Sequence, residues 1–130
     1  LGMSFRKAAY IREATERIVS GELDLHALRS LPDEAVCEQL VRLRGVGRWT
    51  AEMLLLFSLE RPDIISFDDL GIHRGMRMLY GLEKVDRPQF EAYRKRYAPY
   101  ASVASLYLWA ISSGAIPELL DPSAARIGKT

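Results

Sequence analysis

Two stretches of this chain carry residue types whose spacing could do chemistry. The first is Leu43-Arg44-Gly45-Val46-Gly47-Arg48-Trp49-Thr50-Ala51, in which two glycines flank one apolar residue and an arginine stands on either side. Glycine permits positive φ and close backbone approach. If the stretch joins two helices, Val46 tucks inward and pins them. The N–H groups of the hairpin and of the next helix start then point outward. Such a nest at a helix N-terminus is an anion site, and phosphate suits it. Arg44, Gly45, Val46, Gly47, Arg48 and Thr50 are therefore candidate phosphate-binding residues, gripping a backbone without reading its sequence. A plain helix connection with glycines for geometry fits the same spacing. The second stretch is Phe67-Asp68-Asp69-Leu70. Asp69 can cap the following helix, offer a carboxylate to a reacting centre, or do both.

The elements that must position these residues read as helices. Phe5 to Ser20 repeats Ala8, Ile11, Ala14 or Thr15, and Ile18 at helical spacing, and Gly21 ends it. Asp24 opens a short helix to Ser30. Pro32-Asp33-Glu34 opens another, with Val36, Leu40 and Leu43 on one face. After the hairpin (44–49), an apolar helix runs from Thr50 to about Leu59. Ile64-Ile65-Ser66-Phe67 is extended. Helices follow from Leu70 to Leu79, from Arg87 to Tyr97 and from Ala101 to Ser113. No alternating run is long enough for a sheet. The fold class is all-α, and short turns between helices of this length predict an orthogonal multi-helix array. Residues 1–116 form the domain. The segment 117–130, punctuated by Pro117 and Pro122, reads as a loose tail.

Bulk properties narrow the classes. With 130 residues and 48% apolar content, one domain with a real core is expected. A formal charge of +1 gives no general affinity for nucleic acid, so any such contact must be a local patch. Cys37 is the single cysteine and reads as a small core residue. It leaves no disulfide framework, four-cysteine zinc site or iron–sulfur cluster within this sequence. His26 and His73 lack metal-site spacing, so neither metal nor cofactor is expected. Neither a signal peptide nor a membrane span is read, and a reducing cytoplasm fits. His73 and the runs Arg74 with Arg77 and Arg94-Lys95-Arg96 read as helix-face or solvated groups, the first arginine pair as a solvated or phosphate-facing edge.

The hairpin followed by Phe67-Asp68-Asp69-Leu70 resembles the signature of the helix-hairpin-helix (HhH-GPD) DNA glycosylase superfamily. The form Gly47-Arg48-Trp49-Thr50-Ala51 and the paired aspartates are most similar to its 3-methyladenine DNA glycosylase II branch. The similarity continues through Leu1-Gly2-Met3-Ser4 and Arg6-Lys7-Ala8, and again from Tyr97-Ala98-Pro99-Tyr100 to Leu108-Trp109. It covers most of the chain.

The resemblance implies a hydrolase of base excision repair acting on double-stranded DNA that contains alkylated bases, with Asp69 as its catalytic carboxylate. Glycosidic cleavage builds positive charge on the sugar, which a carboxylate stabilises. An alkylated purine already carries positive charge and leaves without a second acid. Related bifunctional enzymes place a lysine where this chain has Trp49, which implies a monofunctional enzyme without lyase activity. Trp49, Trp109 and Tyr100 are candidate walls of a pocket for a cationic base, with core packing the other reading. Met53 stands at the pocket edge or in the core, where the family often has an aromatic residue. Family members carry further helices before the segment matching Leu1, so a missing N-terminal segment or a homodimer is expected to cover apolar faces of the Thr50–Leu59 and last helices. The alternative is a non-catalytic helix-hairpin-helix DNA-binding module. For a prokaryotic source the expected location is the cytoplasm, with the nucleoid.

Overall fold

The computed structural model describes residues 2–126. Among them are seven α-helices and one short 3-10 helix, with no strand, so the all-α expectation holds. The chain divides into two compact units, Leu1–Glu60 and Arg61–Thr130.

The first unit holds α1 (Phe5–Val19), α2 (Leu25–Leu28), α3 (Asp33–Val41) and α4 (Arg48–Phe57). The Ser4 hydroxyl caps α1 by accepting the Lys7 N–H at 3.2 Å. Helical spacing puts Ala8, Ile11, Ala14 or Thr15, and Ile18 on one face of α1. The structure instead leaves Ile11 and Ile18 exposed, and the half-buried side of the helix is Tyr10, Glu13, Ala14 and Arg17. The reason is local. Tyr10 lies against Gly45, Glu13 reaches Arg44 at 3.6 Å, and Arg17 donates to the Arg42 carbonyl at 3.4 Å. α3 packs on α4. Val36, Cys37 and Leu40 of α3 are buried, as are Ala51, Leu55 and Leu56 of α4, the spacing of one helical face each. Burial pushes the Cys37 thiol up, as fits a core residue.

The second unit holds α5 (Leu70–Tyr80), α6 (Arg87–Tyr97), α7 (Ala101–Ser112) and the 3-10 helix Pro122–Arg126. Its core is Ile65, Ile72, Met76, Val85, Phe90, Ala101 and Leu108. α5 and α7 form the main helix pair. Gly75 makes the pairing close: a Cβ there would overlap the Leu108 carbonyl of α7. The extended residues before Asp69 are fastened to α7 by hydroxyls. Ser105 donates to the Ile64 carbonyl at 2.8 Å, and Ser102 accepts the Ile64 N–H at 2.9 Å. Asp63 caps α7 by accepting the Ala101 N–H at 3.1 Å. These bonds explain why a stretch with no sheet partner is buried, since its polar backbone groups are satisfied by side chains. α6 opens on an Asp86–Gln89 capping box, and its end is tied back where the Tyr97 and Tyr80 hydroxyls meet at 2.6 Å.

The segment after Pro117 was read as loose. Asp121 within it is buried, and it accepts from Arg77 through two bonds of 3.0 and 2.8 Å. Ser123 donates to the same carboxylate through its hydroxyl and its N–H. Arg74, 3.7 Å from Asp121, also donates to the Ser112 carbonyl at the end of α7. Arg74 and Arg77 are therefore fasteners between α5, α7 and the tail, where the sequence suggested a solvated or phosphate-facing edge. The expected tail residues 127–130 lie outside the described residues.

Candidate active site and DNA-binding hairpin

The hairpin belongs to the first unit, between α3 and α4. Gly45 has φ +84°, a region that favours glycine, and a Cβ there would strike the Tyr10 ring. Val46 is half-buried, and its N–H bonds the Leu43 carbonyl at 3.2 Å. Gly47 is the N-cap of α4 in extended conformation, and a Cβ on it would meet nothing within 4 Å. Gly47, with no side chain, makes no cap bond to this helix start. The N–H groups of Arg48, Trp49 and Thr50 occupy its first turn, where no intrahelical acceptor exists. α4 thus begins two residues before the Thr50 expected from sequence.

The two arginines are engaged within the chain. Arg48 makes a bidentate pair with Glu34 at 2.7 and 2.8 Å and stands 3.6 Å from Glu52. The Glu34 bonds raise its already high pKa further, so it is a permanent cation joining α3 to α4. Arg44 lies over the Tyr10 ring, 5.4 Å from its centroid, as well as near Glu13. Their charge beside the hairpin is partly matched by glutamates. Sequence reading missed Glu34 and Glu13 because they lie fourteen and thirty-one residues from their arginines. Trp49 is 47% exposed on the first turn of α4, with half-buried Met53 one turn on.

The second unit brings Asp69 and Trp109 together. Asp69 is the N-cap of α5 and only 8% exposed. Its Oδ1 accepts the Ile72 N–H at 2.9 Å and the Trp109 indole N–H at 2.9 Å. One carboxylate therefore caps α5 and also accepts a bond from α7. The helix start and two N–H donors favour negative charge there. The Trp109 ring packs against the unit's core while its indole N–H reaches Asp69. Asp68 is exposed. His73, read as a helix-face group, bonds the Phe67 carbonyl through Nε2 and meets the Phe67 ring edge-on at 4.9 Å. That contact pins the turn leading into Asp69. Tyr100, at the start of α7, is 67% exposed. No group of three or more His, Cys, Asp or Glu side chains suited to a metal occurs among the described residues, and none of their helices is long and apolar enough to cross a membrane.

An all-helical fold with a glycine hairpin, followed by a buried aspartate at the next helix mouth, defines a class of protein that comparison identifies. Residues 1–99 match the HhH-GPD superfamily of base excision DNA repair proteins, and the chain belongs to that family. It is 36% identical over 113 residues to DNA-3-methyladenine glycosylase 1 of Schizosaccharomyces pombe, a match covering 85% of this chain and 50% of that protein. The crystal structure of a DNA-3-methyladenine glycosidase from Bacillus halodurans superposes with a TM-score of 0.80 at 42% identity, over 90% of this chain and 54% of that one. The S. pombe 3-methyladenine DNA glycosylase in complex with abasic DNA superposes with a TM-score of 0.73 at 36% identity, over 86% and 55%. The chain thus spans about half the length of these relatives.

Proposed function

We propose that this chain is the DNA-gripping and aspartate-bearing part of a base-excision glycosylase. It hydrolyses the N-glycosidic bond of alkylated purines of the 3-methyladenine type and leaves the abasic site uncut. The observation that carries this reading is Asp69, a buried carboxylate held by two N–H donors at a helix mouth in a chain of this family. As the base departs, positive charge develops at C1′ of the sugar. Asp69 stabilises that charge and orients the attacking water. An alkylated purine leaves as a neutral base without being protonated, so one carboxylate suffices. In the second unit Tyr100 is exposed and the Trp109 ring stands next to the carboxylate; in the first, Trp49 is half exposed; aromatic rings of this kind can stack on a cationic base. The absence of lysine from the hairpin, with Trp49 at the step where bifunctional relatives carry it, supports hydrolysis without strand cleavage.

The grip on double-stranded DNA is assigned to Arg44, Gly45, Val46, Gly47, Arg48 and Thr50, with the backbone N–H groups of the α4 start facing a phosphate. The relative solved on abasic DNA supports DNA as the ligand. The relatives' greater length supports a further N-terminal segment, or a second copy of the chain, as the cover for apolar faces. A prokaryotic source would place the enzyme with the nucleoid.

The test is base release from a methylated duplex, comparing this chain, its Asp69→Asn variant and a form extended at the N-terminus. Expected is release that falls by at least about a hundredfold in Asp69→Asn, with abasic product and no strand break. DNA binding without release from any form would instead support a non-catalytic binding module.

A further inference from the structure

We infer that Gly71 is a positioning residue: its missing side chain lets the Trp109 indole N–H reach Asp69 and fix the carboxylate plane. This rests on the reading of Asp69 given above. The Ile72 N–H makes an ordinary capping bond, which holds the carboxylate from the side of its own helix. The second bond comes from α7, forty residues on, and holds it from a different direction. Both bonds fall on Oδ1. Gly71 lies between the two partners of the second bond. A Cβ at this position would stand 2.8 Å from Trp109 Cδ1, 3.3 Å from Trp109 Nε1 and 3.1 Å from Asp69 Oδ1. One methyl group would therefore press on both ends of the same hydrogen bond. Alanine is otherwise the better residue inside a helix, so helix propensity gives no reason for glycine here. φ at Gly71 is not positive either. Gly75, one turn on, is different in kind. Its added Cβ would meet the backbone of Leu108, so it governs how closely the two helices approach as a whole.

Trp109 in this account acts through Asp69. The chain has two tryptophans, so its indole N–H groups give two separable resonances in a proton–nitrogen NMR spectrum, with Trp49 as the internal reference. The experiment compares native protein with Gly71→Ala, Trp109→Phe and the double variant. It reads the indole resonance, the melting temperature, the affinity for abasic DNA and single-turnover base release from the form that shows it. Expected in Gly71→Ala is an upfield move of the Trp109 indole proton, a melting temperature lowered by a few degrees as the core-packed ring gives way, and unchanged DNA affinity. Base release should fall by about ten- to a hundredfold, as for a misplaced catalytic group. Trp109→Phe should give a similar loss of rate, and the double variant little more than either alone, since both remove one bond. An unmoved Trp109 resonance and a native rate in Gly71→Ala would overturn the inference. Additive losses, or a loss in DNA affinity matching the loss in rate, would overturn it too. If the resonance moves but no form of the protein releases base, the positioning stands and the glycosylase reading falls.

Discussion

At the residue scale, the two hairpin glycines have different work, and substitution should separate them. Gly45 serves the fold, because its backbone lies in the left-handed region and Tyr10 occupies the space of a Cβ. Gly45→Ala is expected to destabilise by about 1–3 kcal/mol, measured by urea denaturation. Gly47 has an ordinary extended φ and open space around it, so nothing inside the chain requires glycine there. A phosphate drawn up to the α4 start would require it. Gly47→Ala should cost about 1 kcal/mol or less, the N-cap preference of glycine over alanine, and weaken duplex binding by about tenfold, read by fluorescence anisotropy. Loss of stability without loss of affinity would move Gly47 to a purely structural role. Arg48, although beside the hairpin, is bonded to Glu34, and both side chains are about half exposed. Arg48→Met should therefore cost about 0.5–1 kcal/mol of stability. It should also reduce the salt slope of DNA binding, by up to the roughly 0.9 expected of one phosphate contact, and an unchanged slope would remove Arg48 from the DNA grip. Asp69 was legible as a helix cap from its place before Leu70, and as a site candidate only through the family resemblance. Its bond to Trp109 was not, since it depends on how closely two helices approach.

At the element scale, sequence and structure agree where a cap or a breaker states the boundary. Ser4, Asp24, Asp69 and Asp86 each accept a backbone N–H at the start of the helix they precede, and Gly81 ends α5 at φ +67°. Agreement fails where polar long-range contacts choose the packed face, as on α1. The C-terminal segment shows the same limit, because proline spacing cannot reveal that Asp121 meets Arg77. Arg77 holds the Asp121 carboxyl well below the usual carboxylate range, Ser123 adds to this, and burial opposes it. A carboxyl whose folded pKa is depressed contributes stability at neutral pH. That contribution persists above the unfolded value near ~4 and is lost as pH falls toward the folded value. Asp121→Asn should cost about 2 kcal/mol at pH 7, a figure reduced for the partial exposure of Arg77. The difference from native should shrink in denaturation curves taken well below pH 4. A gap that stays constant with pH would mean that packing, not charge, holds this segment to α5.

At the scale of the whole molecule, the apolar surface is the unresolved account. Trp49, Leu54 and Phe57 of α4 are exposed, as are Val103, Leu106 and Tyr107 of α7 at positions i, i+3 and i+4. Ile11, Ile18 and Val19 add a third apolar strip on α1. Single exposed apolar residues are ordinary, but grouped ones on helix faces mark contact surfaces. Part of the α4 strip is consistent with a pocket, since a stacking tryptophan must be reachable. Leu106 and Val103 have no such use, and this chain spans about half the length of its relatives. The expectation is that this chain alone associates with itself at micromolar concentration, seen by light scattering. An N-terminal extension taken from a relative should render it monomeric. Leu106→Lys should weaken self-association while leaving helicity, by circular dichroism, unchanged. A monodisperse monomer of the unextended chain, with no gain in solubility from Leu106→Lys, would mean that these strips are tolerated in water. The longer relatives' extra residues would then serve the site and not the core.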